Sequence, residues 1–102
     1  MVVDYYEYLQ SETWLARAEK VRERNGGMCE CCNIRFITDT HHRTYERLGD
    51  EREDDLIGLC QMCHKYIHGF ITFVPMFPSR LQVLEKLRLE AQQRGLRDER
   101  SR

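Results

Sequence analysis

The chain has 102 residues, 41% of them hydrophobic and 32% charged, and 16 Lys and Arg against 17 Asp and Glu leave a formal net charge of −1. One small folded unit fits that length, and the composition is that of a soluble globular protein. That balance argues against coating of nucleic acid by bulk charge, although a local basic face is not excluded. The longest apolar run, Phe70 to Phe77 with Thr72 and Pro75 inside it, is far shorter than the roughly 20 residues of a bilayer span, so no membrane association is expected. No basic segment precedes an apolar one at the start, which argues against a secretory leader. Five cysteines without an export signal point to a reducing, cytoplasmic setting in which thiolates bind metal rather than pair as disulfides.

In chain order, Tyr5, Tyr6 and Tyr8 are expected to pack as an N-terminal lid. A helix over about 11–25 follows, with Ser11 as N-cap and Trp14, Leu15, Ala18 and Val21 recurring at three- and four-residue spacings. Asn25-Gly26-Gly27 ends it, since glycine supplies the left-handed conformation of a helix terminus. A cysteine knuckle comes next, then a strand-like stretch, Arg35 to Thr38, leading into Thr40-His41-His42. Arg43 to Asp55 shows no apolar periodicity and reads as a charged, solvated loop. Leu56 to Leu59 reads as a buried strand, and Cys60 to His68 as a helix stopped by Gly69. Phe70 to Pro78 is an apolar extended connection expected to cover one side of the core. Ser79 then caps a helix over about 79–95, with Leu81, Leu84, Leu87 and Ala91 on one stripe and Gly95 as its stop. The expected class is α+β: one domain, its strand–loop–strand–helix core over about 26–69 flanked by N- and C-terminal helices.

Cys29-x-x-Cys32 and Cys60-x-x-Cys63 are knuckles of the kind that set four thiolates tetrahedrally around Zn²⁺. The alternative, buried free cysteines acting as small apolar residues, does not explain two matched pairs. Cys31 is then a bystander, and a closed four-sulfur site is structural. All four histidines fall in the same unit. His64 and His68, four apart on a helix, project from one face and can share a metal. His41 and His42 are adjacent at a strand end and point to opposite faces, so one can join that metal while the other is free for proton transfer.

The run His41-His42-Arg43-Thr44-Tyr45-Glu46-Arg47-Leu48-Gly49-Asp50-Glu51, continuing from Asp54-Asp55-Leu56-Ile57-Gly58-Leu59-Cys60-Gln61-Met62-Cys63-His64 to His68, resembles the HNH endonucleases. It resembles the cysteine-knuckled bacterial and phage type within the ββα-metal (His-Me finger) superfamily. The resemblance spans roughly Arg24 to Gly69. It implies a zinc-braced ββα-metal finger and metal-dependent hydrolysis of DNA phosphodiester bonds to 5′-phosphate and 3′-hydroxyl ends. By position it puts the general base on His42 and the ligands of a catalytic divalent cation on His41, His64 and His68. The family's middle asparagine, which braces the loop and orients the base, falls on Asp55. That is a departure: a carboxylate there can accept a hydrogen bond from His42 or contact the metal. The catalytic cation stays open, because imidazoles suit Mn²⁺, Ni²⁺, Co²⁺ or Zn²⁺ while Mg²⁺ prefers oxygen ligands.

Arg43, Arg47 and Lys65, close to the histidines, are the expected phosphate contacts. Arg17, Lys20, Arg22 and Arg24 on the first helix, and Arg80, Lys86, Arg88 and Arg94 on the last, can extend that footprint. No base-reading helix stands out, so DNA is expected to be bound with weak sequence preference. One finger cuts one strand; double-strand cleavage takes a dimer or two separate events, and a homodimer or a phage or bacterial partner protein are candidate associates. Two competing readings are a zinc-stabilised DNA-binding or protein-interaction module whose finger has decayed, and a zinc-ribbon scaffold within a phage assembly.

Overall fold

In the computed structural model, which describes residues 4–93, two short strands stand between helices on either side. The order is α1 (Tyr5–Tyr8), α2 (Glu12–Glu23), β1 (Asp39–His42), β2 (Leu56–Leu59), α3 (Gln61–Ile67) and α4 (Pro78–Gln93), with a 3₁₀ turn at Glu53–Asp55. The described residues thus form an α+β fold with four helices and one two-stranded antiparallel sheet. None of these helices is long and apolar enough to cross a membrane. Arg94 and Gly95, the expected end of the last helix, lie outside the described residues.

The Ser11 hydroxyl caps α2 by accepting from Trp14 N–H, and Trp14, Ala18 and Val21 form the buried face. Leu15, expected on that stripe, is exposed; one residue beyond Trp14, it is turned about 100° around the helix. Gly26 and Gly27 end the helix with φ of 62° and 83°, a conformation that costs glycine little. The expected lid is a single helical turn, α1, capped by the Asp4 side chain.

The first strand sits four residues later than the sequence suggests. Residues 28–36 fold back on themselves: Met28 bridges to Phe36, and Cys29 N–H donates to the Arg35 carbonyl at 2.8 Å. Pairing with Gly27, Met28 and Cys29 therefore consumes the backbone groups of Arg35 to Ile37 that a strand would use. Pairing with β2 starts where Thr38 N–H reaches the Leu59 carbonyl at 2.9 Å.

β1 and β2 pair antiparallel with Asp39 opposite Leu59, Thr40 opposite Gly58, His41 opposite Ile57 and His42 opposite Leu56. Alternation along the strands sorts these residues onto two faces. Ile57 and Leu59 join the larger core with Cys60, Cys63, Ile67, Leu84 and Leu87, whereas Leu56 packs with Trp14, Ala18 and Val21 of α2. All four residues of β2 are buried.

α4 starts at Pro78 rather than after a Ser79 cap; proline at the first helical position has no N–H to leave unpaired. Leu84, Leu87 and Ala91 form its buried face, while Leu81 is 38% exposed. The preceding connection covers less of the core than expected. Val74 is buried and Ile71 and Met76 pack at the margin, but Phe70, Phe73 and Phe77 face outward.

A Cβ at Gly58 would lie 2.5 Å from Ile37 Cδ1 and 3.2 Å from Val21 Cγ1. Gly58→Ala is therefore expected to destabilise the fold by about 1–3 kcal/mol through overpacking. The measurement is a lowered urea midpoint with an unchanged m-value.

Candidate metal centres and the buried His42 network

The knuckle at Cys29–Cys32 is fastened to β2 by Glu30, whose N–H donates to the Gly58 carbonyl and whose Oε1 accepts from Gly58 N–H, both at 2.9 Å. This sets it against the start of α3, where Cys60 is the N-cap and its Sγ accepts from Cys63 N–H. The sulfurs of Cys29, Cys32, Cys60 and Cys63 all lie within 4.8 Å of one another, and all four residues are buried. Sulfurs 2.3 Å from a tetrahedral Zn²⁺ stand about 3.8 Å apart; Cys32 Sγ and Cys60 Sγ are 3.9 Å apart. The four can hold a metal such as zinc. Thiol hydrogen bonds from Cys60 and then Cys63 push the Cys29 thiol down, and the same bonds push Cys60 and Cys63 up. Arg35 Nη1 donates to Cys32 Sγ at 3.4 Å and brings a positive charge to the cluster. All five cysteines are free thiols, and Cys31, fully buried in the same core, stands outside the group of four.

A second donor set lies on the same face of the sheet. His41 of β1, His64 of α3 and His68 at the end of α3 bring ring nitrogens within 4.8 Å of one another. His64 Nε2 and His68 Nε2 are 3.1 Å apart, close to the roughly 3.0–3.4 Å expected of two nitrogens bound about 2.1 Å from one ion. Burial, and after it the proximity of His64 and His68, holds His41 well below the ordinary imidazole range. It is thus neutral at pH 7, as a ligand must be. Behind His64, Asp39 Oδ2 stands 3.4 Å from Nδ1. A carboxylate there favours the tautomer that leaves Nε2 bare for a cation. Sequence reasoning passed over Asp39, although its place two residues before His41 puts it on the same strand face.

His42 faces the other side. Its side chain is 1% exposed, and its ring lies between Trp14 and Tyr45, with centroids 4.8 and 4.9 Å away and planes 13° and 20° from its own. Nε2 is within hydrogen-bond distance of Glu51 Oε2, at 2.7 Å. The other carboxylate oxygen of Glu51 accepts from the Tyr8 hydroxyl and from Arg17 Nη1, the latter at 2.9 Å. Burial pushes the Glu51 carboxyl up, but hydrogen bonds from Tyr8 and His42 outweigh it and leave the group below its ordinary range. Burial likewise draws His42 down against the opposing pull of Glu51. Together these describe a neutral imidazole beside an ionised carboxylate. Tyr8 is pushed up to about 12 by burial and by Glu51.

The loop after His42 is solvated at Glu46, Asp50, Glu53 and Asp54, as its composition suggests, but Glu51 and Asp55 are both buried. Asp55 meets neither the His42 ring nor the three imidazoles. Its carboxylate accepts from the Arg47 guanidinium, with Nε at 2.8 Å, and from Arg52 N–H at 2.9 Å. Its carbonyl accepts from Arg43 N–H at 2.7 Å. The two-pronged guanidinium saturates both carboxylate oxygens, so Asp55 closes the loop instead of touching the ring. The Arg47 bond draws its carboxyl down to about 2.

Of the expected phosphate contacts, Lys65 is exposed on α3, whereas Arg43 is gripped by Glu90 of α4 and Arg47 by Asp55. Arg17, Arg22 and Arg24 pair with Glu51, Glu19 and Glu30. Arg80 donates to the carbonyls of Cys31 and Glu30, and Arg88 lies over the Tyr66 ring. Arg94 lies outside the described residues. A cavity of about 370 Å³ opens between α2 and the sheet, lined by Tyr5, Trp14 and all four histidines. No protein-family model, curated protein or solved structure matches the chain.

Two outcomes follow from this geometry. Cobalt substitution is expected to give a thiolate-to-metal charge-transfer band that His64→Ala retains and Cys32→Ser loses, with Cys32→Ser also failing to fold stably. Asp55 binds its proton near pH 2 in the fold against 3.8 ordinarily, so the stability it contributes is present above about pH 4 and lost as pH falls through 2. In Asp55→Asn, urea unfolding between about pH 5 and 2 is expected to show a shallower dependence on pH.

Proposed function

We propose that this chain is a metal-dependent endonuclease of the HNH type, hydrolysing DNA phosphodiester bonds on a zinc-braced ββα-metal finger made of β1, β2 and α3. The observation that carries the reading is the division of adjacent histidines. His41 stands with His64 and His68 on one side of β1, His42 is held on the other, and all four line one cavity. Three imidazoles that could hold a cation thus stand beside an independently held fourth, a pairing suited to phosphodiester hydrolysis.

Held neutral by burial, His42 can take a proton from water near pH 7. A divalent cation on His41, His64 and His68 supplies charge neutralisation at the scissile phosphate and at the leaving 3′ oxygen. Asp55 replaces the family's asparagine as a brace, fixing the loop through Arg47 and the Arg52 backbone. Lys65, exposed one residue after His64, is the first candidate for a phosphate contact. With so many arginines paired internally, binding is expected to be modest and weakly sequence-dependent. The same pairing of Arg17, Arg43 and Arg47 favours a second reading, a zinc-stabilised binding module that no longer cuts.

Supercoiled plasmid incubated with Mg²⁺, Mn²⁺ or Ni²⁺ separates the two. Nicked circles should form before linear DNA, since one site cuts one strand, and His42→Ala should slow nicking by at least about 100-fold. His64→Ala should also abolish nicking. Retained DNA binding with no cleavage in any metal would establish the module instead.

A further inference from the structure

The resemblance to HNH endonucleases assigns no role to the buried carboxylate of Glu51, and its geometry carries more than packing. Resting on the reading of His42 as the base, we infer that Glu51 is the positioning residue that fixes the His42 tautomer, holding the ring proton on Nε2 and leaving Nδ1 as the basic nitrogen. An ionised carboxylate can only accept, so Glu51 Oε2, 2.7 Å from His42 Nε2, requires that nitrogen to carry hydrogen. The ring cannot turn over to exchange its nitrogens, because Trp14 and Tyr45 enclose both its faces.

Glu51 is itself prevented from turning. Its side chain is wholly enclosed, and its Oε1 accepts from Arg17 Nη1, which cannot accept in return, and from the Tyr8 hydroxyl. Arg17 Nη1 also donates to the Glu51 carbonyl at 3.2 Å, so backbone and side chain are fixed by one guanidinium. α1 and α2 therefore jointly aim a carboxylate at the proton-transfer residue, as an acidic third member orients the histidine of a hydrolytic triad.

This arrangement makes Glu51→Gln a sharp test. An amide must keep its oxygen toward Arg17 and Tyr8, which presents its NH₂ to His42 Nε2. That nitrogen must then accept, and the ring proton moves to Nδ1. The experiment is nitrogen-15 NMR of the histidine rings in the purified, zinc-containing chain without DNA, alongside steady-state plasmid nicking. The wild-type His42 should show a protonated Nε2 and a bare Nδ1, and Glu51→Gln should show the reverse. In nicking, Glu51→Gln should lose at least about 10-fold in kcat with KM for DNA unchanged. A wild-type ring protonated on Nδ1 overturns the assignment, and so does a folded Glu51→Gln that keeps wild-type tautomer and kcat. The wild-type spectrum needs no variant, so misfolding of Glu51→Gln leaves the assignment exposed to refutation. If the wild-type chain cuts no DNA, the nuclease reading fails while the spectrum still judges the tautomer.

Discussion

Four residue pairs hold β1 to β2, and their register decides on which side each histidine works. A slip of one residue would turn every side chain of β1 to the opposite face, sending His42 toward α3 and His41 toward Trp14. The register is pinned because β2 is buried on both faces with different requirements on each. Ile57 and Leu59 fill the core shared with α4, while Gly58 leaves room for Ile37 and Val21. Thus the shape of a four-residue apolar strand determines which imidazole can meet a metal.

Buried charge is the second organising feature. An isolated carboxylate in a protein interior costs several kcal/mol, and Glu51 and Asp55 are tolerated because each is saturated with donors. Glu51 draws on Tyr8, Arg17 and His42, and Asp55 on Arg47 and the Arg52 backbone. These interactions take arginines that would otherwise face solvent. The loop between the strands is consequently held from within, which favours a rigid His42 ring over a broad exposed positive surface.

The sequence announces features whose periodicity is local. Two Cys-x-x-Cys knuckles, histidines four apart on a helix and adjacent histidines on a strand can all be read without knowing the fold, and both donor clusters are present in the structure. Long-range convergence is illegible in one sequence. Glu51 meets partners 43, 34 and 9 residues away, inside a segment with no apolar pattern to betray burial. Arg35 to Thr38 misleads for a related reason: its apolar residues suit a strand, but Gly27 to Cys29 claim the backbone of its first three residues, and only Thr38 reaches β2. Asp55, chosen by its place in a motif, serves a guanidinium rather than the ring because Arg47 offers a better-matched partner.

Arg35 touches a cluster sulfur with one nitrogen and, with another, donates to the Pro75 carbonyl at 2.9 Å. Arg80, from the first turn of α4, grips the knuckle's own carbonyls. The last helix contains no cysteine, yet Arg80 ties its first turn to the thiol cluster, and Arg35 ties the connection that precedes it. Damage by an oxidant at Cys32 would therefore be transmitted through these two guanidinium groups to Pro75 and to the first turn of α4, more than forty residues along the chain.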